Sequence, residues 1–148
     1  MLQIRDFLPS DKEKYLAMSR EFYSGDAALE PVGTQNFEDT FAQLMQNTPY
    51  ARGLMLTDGG EPVGYALLAL YWSCESGGMC LLLEELFLSG SCRGKGYGTQ
   101  FMRWLAEEYR DTAKRLRLEV CPRNTRVKKL YEQCGYHELK YIQMIRKP

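Results

Sequence analysis

The chain has one histidine, His137, among its 148 residues, and its five cysteines (Cys74, Cys80, Cys92, Cys121 and Cys134) contain no C-x-x-C pair. An odd set of scattered thiols without imidazole partners argues against a zinc site and against a disulfide framework, so no metal and a reduced compartment are expected. Long apolar runs are also missing. The longest, Tyr65 to Trp72, has eight residues, well short of the ~20 that cross a bilayer as a helix, and no membrane partner is expected. Arg5, Asp6 and Asp11 fall too early for a secretory signal, which points to a cytoplasmic protein. There is no repeat, low-complexity tract or linker to divide the chain, so residues 1–148 read as a single domain.

Net charge is absent too: 19 Lys and Arg balance 19 Asp and Glu. The balance hides a polarity, because residues 93–148 carry fourteen basic and six acidic side chains, whereas residues 1–92 carry five and thirteen. A basic end suits phosphates and an acidic end suits a cationic partner. Nucleic acid is not expected, since its backbone would also meet the acidic two-thirds.

Hydrophobic periodicity and punctuation predict the elements. Met1 to Asp6 reads as a strand. A helix capped by Ser10 or Asp11 runs to about Ser24, with Gly25 as its stop. A second helix opens at Asn36 or Asp39 and ends near Gln46. Leu54–Thr57 and Val63–Trp72 flank Asp58-Gly59-Gly60, a hairpin signal, with Pro62 just ahead of the second strand. Met79–Leu88 and Leu116–Val120 are further strands. Tyr97 to Tyr109 and Asn124 to Cys134 are helices, the latter stopped by Gly135. Tyr136 to Arg146 is expected to add one or two closing strands. Hairpins together with helix-separated strands imply a mixed sheet with helices on its faces.

The most informative stretch is Arg93-Gly94-Lys95-Gly96-Tyr97-Gly98, between the Met79–Leu88 strand and a helix. Glycines there leave backbone N–H groups uncovered at a helix N-terminus, where peptide dipoles favour an anion. A P-loop does not fit, because only three residues lie between Gly90 and Gly94 where the motif needs four, and Gly96 replaces the hydroxyl that binds magnesium. A dinucleotide fingerprint fails as well: its third glycine comes one place early, and the residues after Val120 are too few for a second half-sheet.

The pattern that fits is [RQ]-x-x-G-x-[GA], filled by Arg93, Gly96 and Gly98. It comes with Glu84-Glu85-Leu86-Phe87-Leu88 before it and Leu118-Glu119-Val120-Cys121, Asn124, Leu130-Tyr131-Glu132 and Cys134-Gly135-Tyr136 after it. In that order these blocks resemble the GNAT superfamily of acetyl-CoA-dependent N-acetyltransferases. The resemblance implies an α/β fold whose mixed sheet has two splayed parallel strands, Met79–Leu88 and Leu116–Val120, with the cofactor's pantetheine arm between them. It further implies acetyl-CoA as co-substrate, held by the backbone of Leu86, Phe87 and Leu88, by Arg93, Gly94, Lys95, Gly96, Tyr97, Gly98 and Thr99 around the pyrophosphate, and by Asn124 and Tyr131. The acceptor would be the amine of a small molecule, peptide or protein.

The chemistry needs a base, because an amine of pKa near 10.4 is only roughly 0.04% neutral at pH 7. Glu84 and Glu85 lie inside an apolar strand and alternate across it, so at most one faces the reaction. Glu84 is preferred from its place relative to Leu88, and Glu119 is a rival at the next strand's end. By the resemblance, Tyr131 donates to the departing thiolate and the Leu88 N–H polarises the thioester oxygen. Cys121 and His137 read as structural. Tyr71 and Trp72 split between core and acceptor pocket, and Phe22, Tyr23 and Tyr50 read first as helix packing. The rival readings are a non-catalytic acyl-CoA-binding module on the same fold and a nucleotide-binding protein. A homodimer is compatible with the fold class, but no residue in the sequence argues for it.

Overall fold

The computed structural model describes residues 1–25 and 28–148. Five strands lie in sequence order across one sheet: β1 (Leu2–Asp6), β2 (Ala51–Asp58), β3 (Glu61–Ser73), β4 (Gly78–Leu88) and β5 (Arg115–Leu118). The first four pair antiparallel and β5 runs parallel to β4. Helices α1 (Lys12–Tyr23) and α2 (Thr34–Met45) precede β2, α3 (Tyr97–Glu108) links β4 to β5, and α4 (Thr125–Gln133) follows β5. Among the described residues, no helix is long and apolar enough to cross a membrane.

Both faces of the sheet are covered. Met55, Tyr65, Leu67 and Phe87 pack with Tyr15, Leu16, Phe37 and Phe41 of α1 and α2. Their strand neighbours Leu54, Leu56, Ala66 and Leu68 turn the other way, onto Phe101, Met102 and Leu105 of α3 and Tyr131 of α4. This two-sided cover explains why the central strands read as unbroken apolar runs without alternation.

Local chemistry sets the boundaries. Gly59 and Gly60 have φ of +58° and +84°, the left-handed pair required by a two-residue hairpin turn. Pro62 lies inside β3, not ahead of it. It faces Thr57 where the β2 register shifts, and that irregularity accommodates its missing N–H. Helix α2 begins earlier than the sequence predicts, because its first turn, Thr34-Gln35-Asn36, is polar and periodicity becomes visible only at Phe37. The Asp11 carboxylate fixes the entrance to α1. It accepts from both terminal nitrogens of Arg5, at 2.7 and 3.0 Å, and from the Leu8 N–H at 2.7 Å.

The chain end departs from expectation. Strand β5 stops at Leu118, and residues 136–148 form neither helix nor strand. Strand-prone composition alone does not make a strand, and this segment pairs with none, although the outer edge of β5 is free.

Candidate active site

Strands β4 and β5 pair only from Cys80↔Arg115 to Leu83↔Leu118. β4 then continues to Leu88 with β3 as its one neighbour. The cause lies in β4 itself. Leu83 faces Leu68 and Glu85 faces Leu67, so Glu84 is an extra residue with no opposite number. Such a bulge bends the strand and increases its twist, and it falls where contact with β5 ends. A gap opens there, walled by Glu84–Leu88 on one side and the residues after Leu118 on the other.

The Ser89 N–H donates to the Val63 carbonyl at 2.9 Å. By alternation, the backbone groups of Leu88 and Leu86 point away from β3 and into the gap. Consistently, Arg93 Nε reaches the Leu88 carbonyl at 3.4 Å. Phe87 is a correction to the expected cofactor contacts. Its backbone groups turn toward β3, and its ring is buried against Phe22 and Tyr65 on the α1/α2 side.

The two glutamates meet different surroundings. Glu84 keeps contact with water at the mouth of the gap, yet loss of hydration pushes its pKa up, and the charge of Glu119 adds to the rise. Glu85 points into the aromatic layer under α1. There Oε1 accepts the Tyr65 hydroxyl at 2.7 Å, and Tyr23 hydrogen-bonds to the same carboxylate. Burial raises the Glu85 pKa, the two phenols pull it down, and Glu84 raises it again. Burial also raises Tyr65 and Tyr23, with the Glu85 charge adding to each. Glu119 is exposed one residue past β5, across the gap from Glu84. Sequence reasoning missed Tyr65, which looks like any core aromatic until the cross-strand register places it opposite Phe87.

The glycine loop is exposed from Arg93 to Gly96, and Gly94 and Gly96 have φ of +78° and +77°. No side chain caps α3. The first intrahelical bond runs from the Gln100 N–H to Gly96, at 3.0 Å. The N–H groups of Tyr97, Gly98 and Thr99 are therefore left for an anion, with Lys95 and Arg93 beside them. Tyr97 anchors the turn: its ring is buried and its hydroxyl donates to Asp58 in the β2–β3 hairpin. Gly98 serves a second purpose, since a Cβ there would stand 3.2 Å from Leu130 and 3.9 Å from Leu88. Its missing side chain lets α3 approach α4. Beyond the loop, Thr99, Met102, Arg103, Leu130 and Gln133 line a groove of about 440 Å³.

Tyr131 lies 9% exposed in the cluster that includes Leu83, Leu86 and Leu88. Burial pushes its pKa up to about 12. Tyr136 packs against it at 6.2 Å, with a buried hydroxyl that has no hydrogen-bond partner among the described residues. Asn124 caps α4, its side chain accepting from the Val127 N–H at 3.4 Å. Tyr71 and Trp72 do not reach the gap. Arg117 donates to the Tyr71 hydroxyl at 2.8 Å, and Trp72 is 76% exposed opposite Met79, at the far end of β4. Tyr50 is also remote, accepting from Gln43 at 2.7 Å. Among the described residues, no three His, Cys, Asp or Glu side chains are grouped to hold a metal.

A backbone gap ending in an uncapped, glycine-led helix suits an extended ligand that carries a phosphate or diphosphate. Residues 14–136 match the family model described as Acetyltransferase (GNAT) family. A Clostridium difficile 630 structure described as a possible acetyltransferase superposes with a TM-score of 0.85 at 14% identity, covering 100% of this chain and 98% of that one. AAC(6')-Iy, in complex with the bisubstrate analogue CoA-S-monomethyl-acetylneamine, gives 0.79 at 17% identity, covering 100% and 99%. Ribosomal-protein-alanine N-acetyltransferase from Brucella melitensis biovar Abortus 2308 gives 0.78 at 19% identity, covering 99% of each chain. No curated protein sequence matches the chain.

Proposed function

Because the chain belongs to the acetyltransferase (GNAT) family, we propose that it moves an acetyl group from acetyl-CoA to a primary amine by direct attack. One observation carries the reading: beyond Leu83, β4 presents its backbone to an open gap that leads to the uncapped N-terminus of α3. Leu86 and Leu88 would pair with the pantetheine amides as an added strand pairs with a sheet edge. The amides of Tyr97 to Thr99, with Arg93 and Lys95, would hold the pyrophosphate. Each exposed charge–dipole contact contributes roughly 0.3–1 kcal/mol, so several are needed to fix a flexible carrier. Asn124 orients the start of α4, which carries Tyr131 to the gap.

Glu84 is the preferred base. A carboxylate with a raised pKa holds a proton taken from an ammonium more strongly than an ordinary one. Glu119 stands opposite it, and the two negative charges favour an acceptor that arrives as a cation. Tyr131 would donate a hydrogen bond to the leaving thiolate. Full proton transfer from a phenol near 12 to a thiolate of pKa 8.5 would be uphill by about 5 kcal/mol, so the hydroxyl stabilises charge without surrendering its proton. The Leu88 N–H, directed into the gap, would polarise the thioester oxygen.

The test is thiol release from acetyl-CoA over a panel of amines: polyamines, aminoglycosides, lysine peptides and peptide N-termini. Release with at least one cationic amine, slowed in Tyr131→Phe, supports the reading. Tight coenzyme A binding without release from any of them would instead favour the non-catalytic acyl-CoA-binding module.

A further inference from the structure

Two arginines leave β5 on one face of the sheet, and only one of them finds a carboxylate. Leu82 pairs with Arg117 on one side and Ala69 on the other, and Cys80 pairs in the same way with Arg115 and Tyr71. Side chains at paired positions share a face. Ala69 is two residues from Leu67 of the α1/α2 core, so both arginines lie on the face where those helices pack. Arg115 meets Glu75 at 3.1 Å. Arg117 has no carboxylate partner among the described residues. Its Nη1 donates to the Tyr71 hydroxyl at 2.8 Å, which orients the guanidinium and leaves its other N–H groups available. Arg117 is half-buried, as are Leu82 and Ala69 alongside it.

Its place in the strand gives this cation a use. Leu118, the next residue, is the last of β5 to pair with β4, so Arg117 stands where the gap begins. Glu119 is rooted about 7 Å further along an extended chain, and its charge acts on Arg117 as well as on Glu84. The Glu84 charge in turn reaches Tyr23 of α1, so both carboxylates and Arg117 border one opening on the α1 side. An unpaired guanidinium held by a phenol is a fork for a planar anion. On the reading that the protein acetylates an amine, we infer that the acceptor is an amino acid, with its ammonium directed to Glu84 and Glu119 and its carboxylate bound by Arg117. Tyr71 is a positioning residue. A dianionic phosphate suits the opening less, because the same glutamates repel it more strongly. Transfer leaves the carboxylate intact. The amine nitrogen bonds the acetyl carbon as the C–S bond breaks, one ammonium proton passes to the base, and a second ends on the thiolate of coenzyme A.

Thiol release from acetyl-CoA tests this with α-amino acids, β-alanine and 4-aminobutyrate, their carboxamides, polyamines and phosphoethanolamine. At least one acid should run with kcat/KM about 10- to 100-fold above its carboxamide, the range of hydrogen bonds to charged groups. In Arg117→Gln that preference should fall to near unity through a higher KM for the acid, with the melting midpoint unchanged. Arg117→Lys should restore part of it, and Tyr71→Phe should weaken it only a few-fold. Carboxamides or polyamines used as well as the acids, or phosphoethanolamine preferred to all of them, overturn the inference and leave acetyl transfer standing. Equal losses on acid and carboxamide in Arg117→Gln overturn it too, since a structural role would act on both. Release with no amine at all overturns the acetyltransferase reading, and this inference with it.

Discussion

The charge of Glu119 reaches Glu84 across the gap between β4 and β5 and adds to the rise that burial imposes on the Glu84 pKa. If Glu84 is the base, the acid limb of the pH–kcat/KM profile lies above the ordinary 4.5 of a glutamate. Replacing Glu119 with Gln removes a like charge, lowers the Glu84 pKa and moves that limb to lower pH while much of kcat remains. Replacing Glu84 with Gln should lower kcat about 10²- to 10⁴-fold, the usual contribution of general base catalysis, and abolish the limb. If Glu119→Gln causes the large loss and Glu84→Gln does not, the base is Glu119.

Tyr131→Phe keeps the ring that packs in the Leu83–Leu88 cluster and removes only the hydroxyl. The expected result is kcat about 10- to 100-fold lower, a KM for acetyl-CoA within about twofold, and an unchanged unfolding midpoint. Losing one donor to a developing anion costs up to about 10³-fold, and a thiolate is diffuse enough to need it less. Steady-state thiol release and a urea titration on the same variant separate this from a packing defect, which would lower the midpoint as well.

Glu85 makes a prediction of opposite sign to Asp11. The Glu85 pKa is raised in the folded protein, chiefly by burial. The folded state therefore holds its proton more tightly than the unfolded chain, and the ionised form opposes folding. Stability then falls as pH rises from the unfolded value of about 4.5 through the raised folded value. Asp11 is lowered, first by the Arg5 hydrogen bonds. Its stabilisation is present above the unfolded value near 3.8 and is lost as pH falls through the lowered one. Glu85→Gln should therefore stabilise the protein at pH 8 more than at pH 4.5. Asp11→Asn should cost about 2 kcal/mol at pH 7 and progressively less in acid. Thermal scans at several pH values check both slopes, and a Glu85→Gln difference that does not vary with pH removes the argument for that residue.

Much of this fold was legible because its signals are local. The Gly59-Gly60 turn, the Asn124 cap, the Gly135 stop and the Arg93–Gly98 loop each depend on residues a few positions apart, and each is found where the sequence put it. What could not be read depends on pairing. The expectation that Glu84 and Glu85 simply alternate assumed an even ladder, and only the β3 register reveals the bulge between Leu83 and Glu85. Phe87 stood among the cofactor contacts that the resemblance implies, and backbone alternation turns its N–H and carbonyl toward β3. Tyr65, 20 residues from Glu85 in sequence, meets it through that same register. The closing strands expected after Tyr136 are not formed either: composition shows that a segment can pair, not that it does.

Two glycines of the loop look alike in sequence and should fail differently. Gly96 has a φ of +77°, and the nearest atom to a Cβ placed there is 3.9 Å away, at the end of the Gln100 side chain. Alanine would fit the space but not the backbone, where a left-handed residue costs roughly 1–2 kcal/mol. The loop would relax and its N–H groups would lose their common aim. Gly98 has no such φ, and its constraint is the 3.2 Å approach to Leu130. Alanine there pushes α4, and with it Tyr131, away from α3. Gly96→Ala should raise the KM for acetyl-CoA about tenfold with kcat largely kept, whereas Gly98→Ala should lower kcat and the unfolding midpoint together. Calorimetry with coenzyme A and a melting curve on each variant distinguish the two. If both lose affinity equally and neither loses stability, Gly98 contributes to the anion site and not to helix packing.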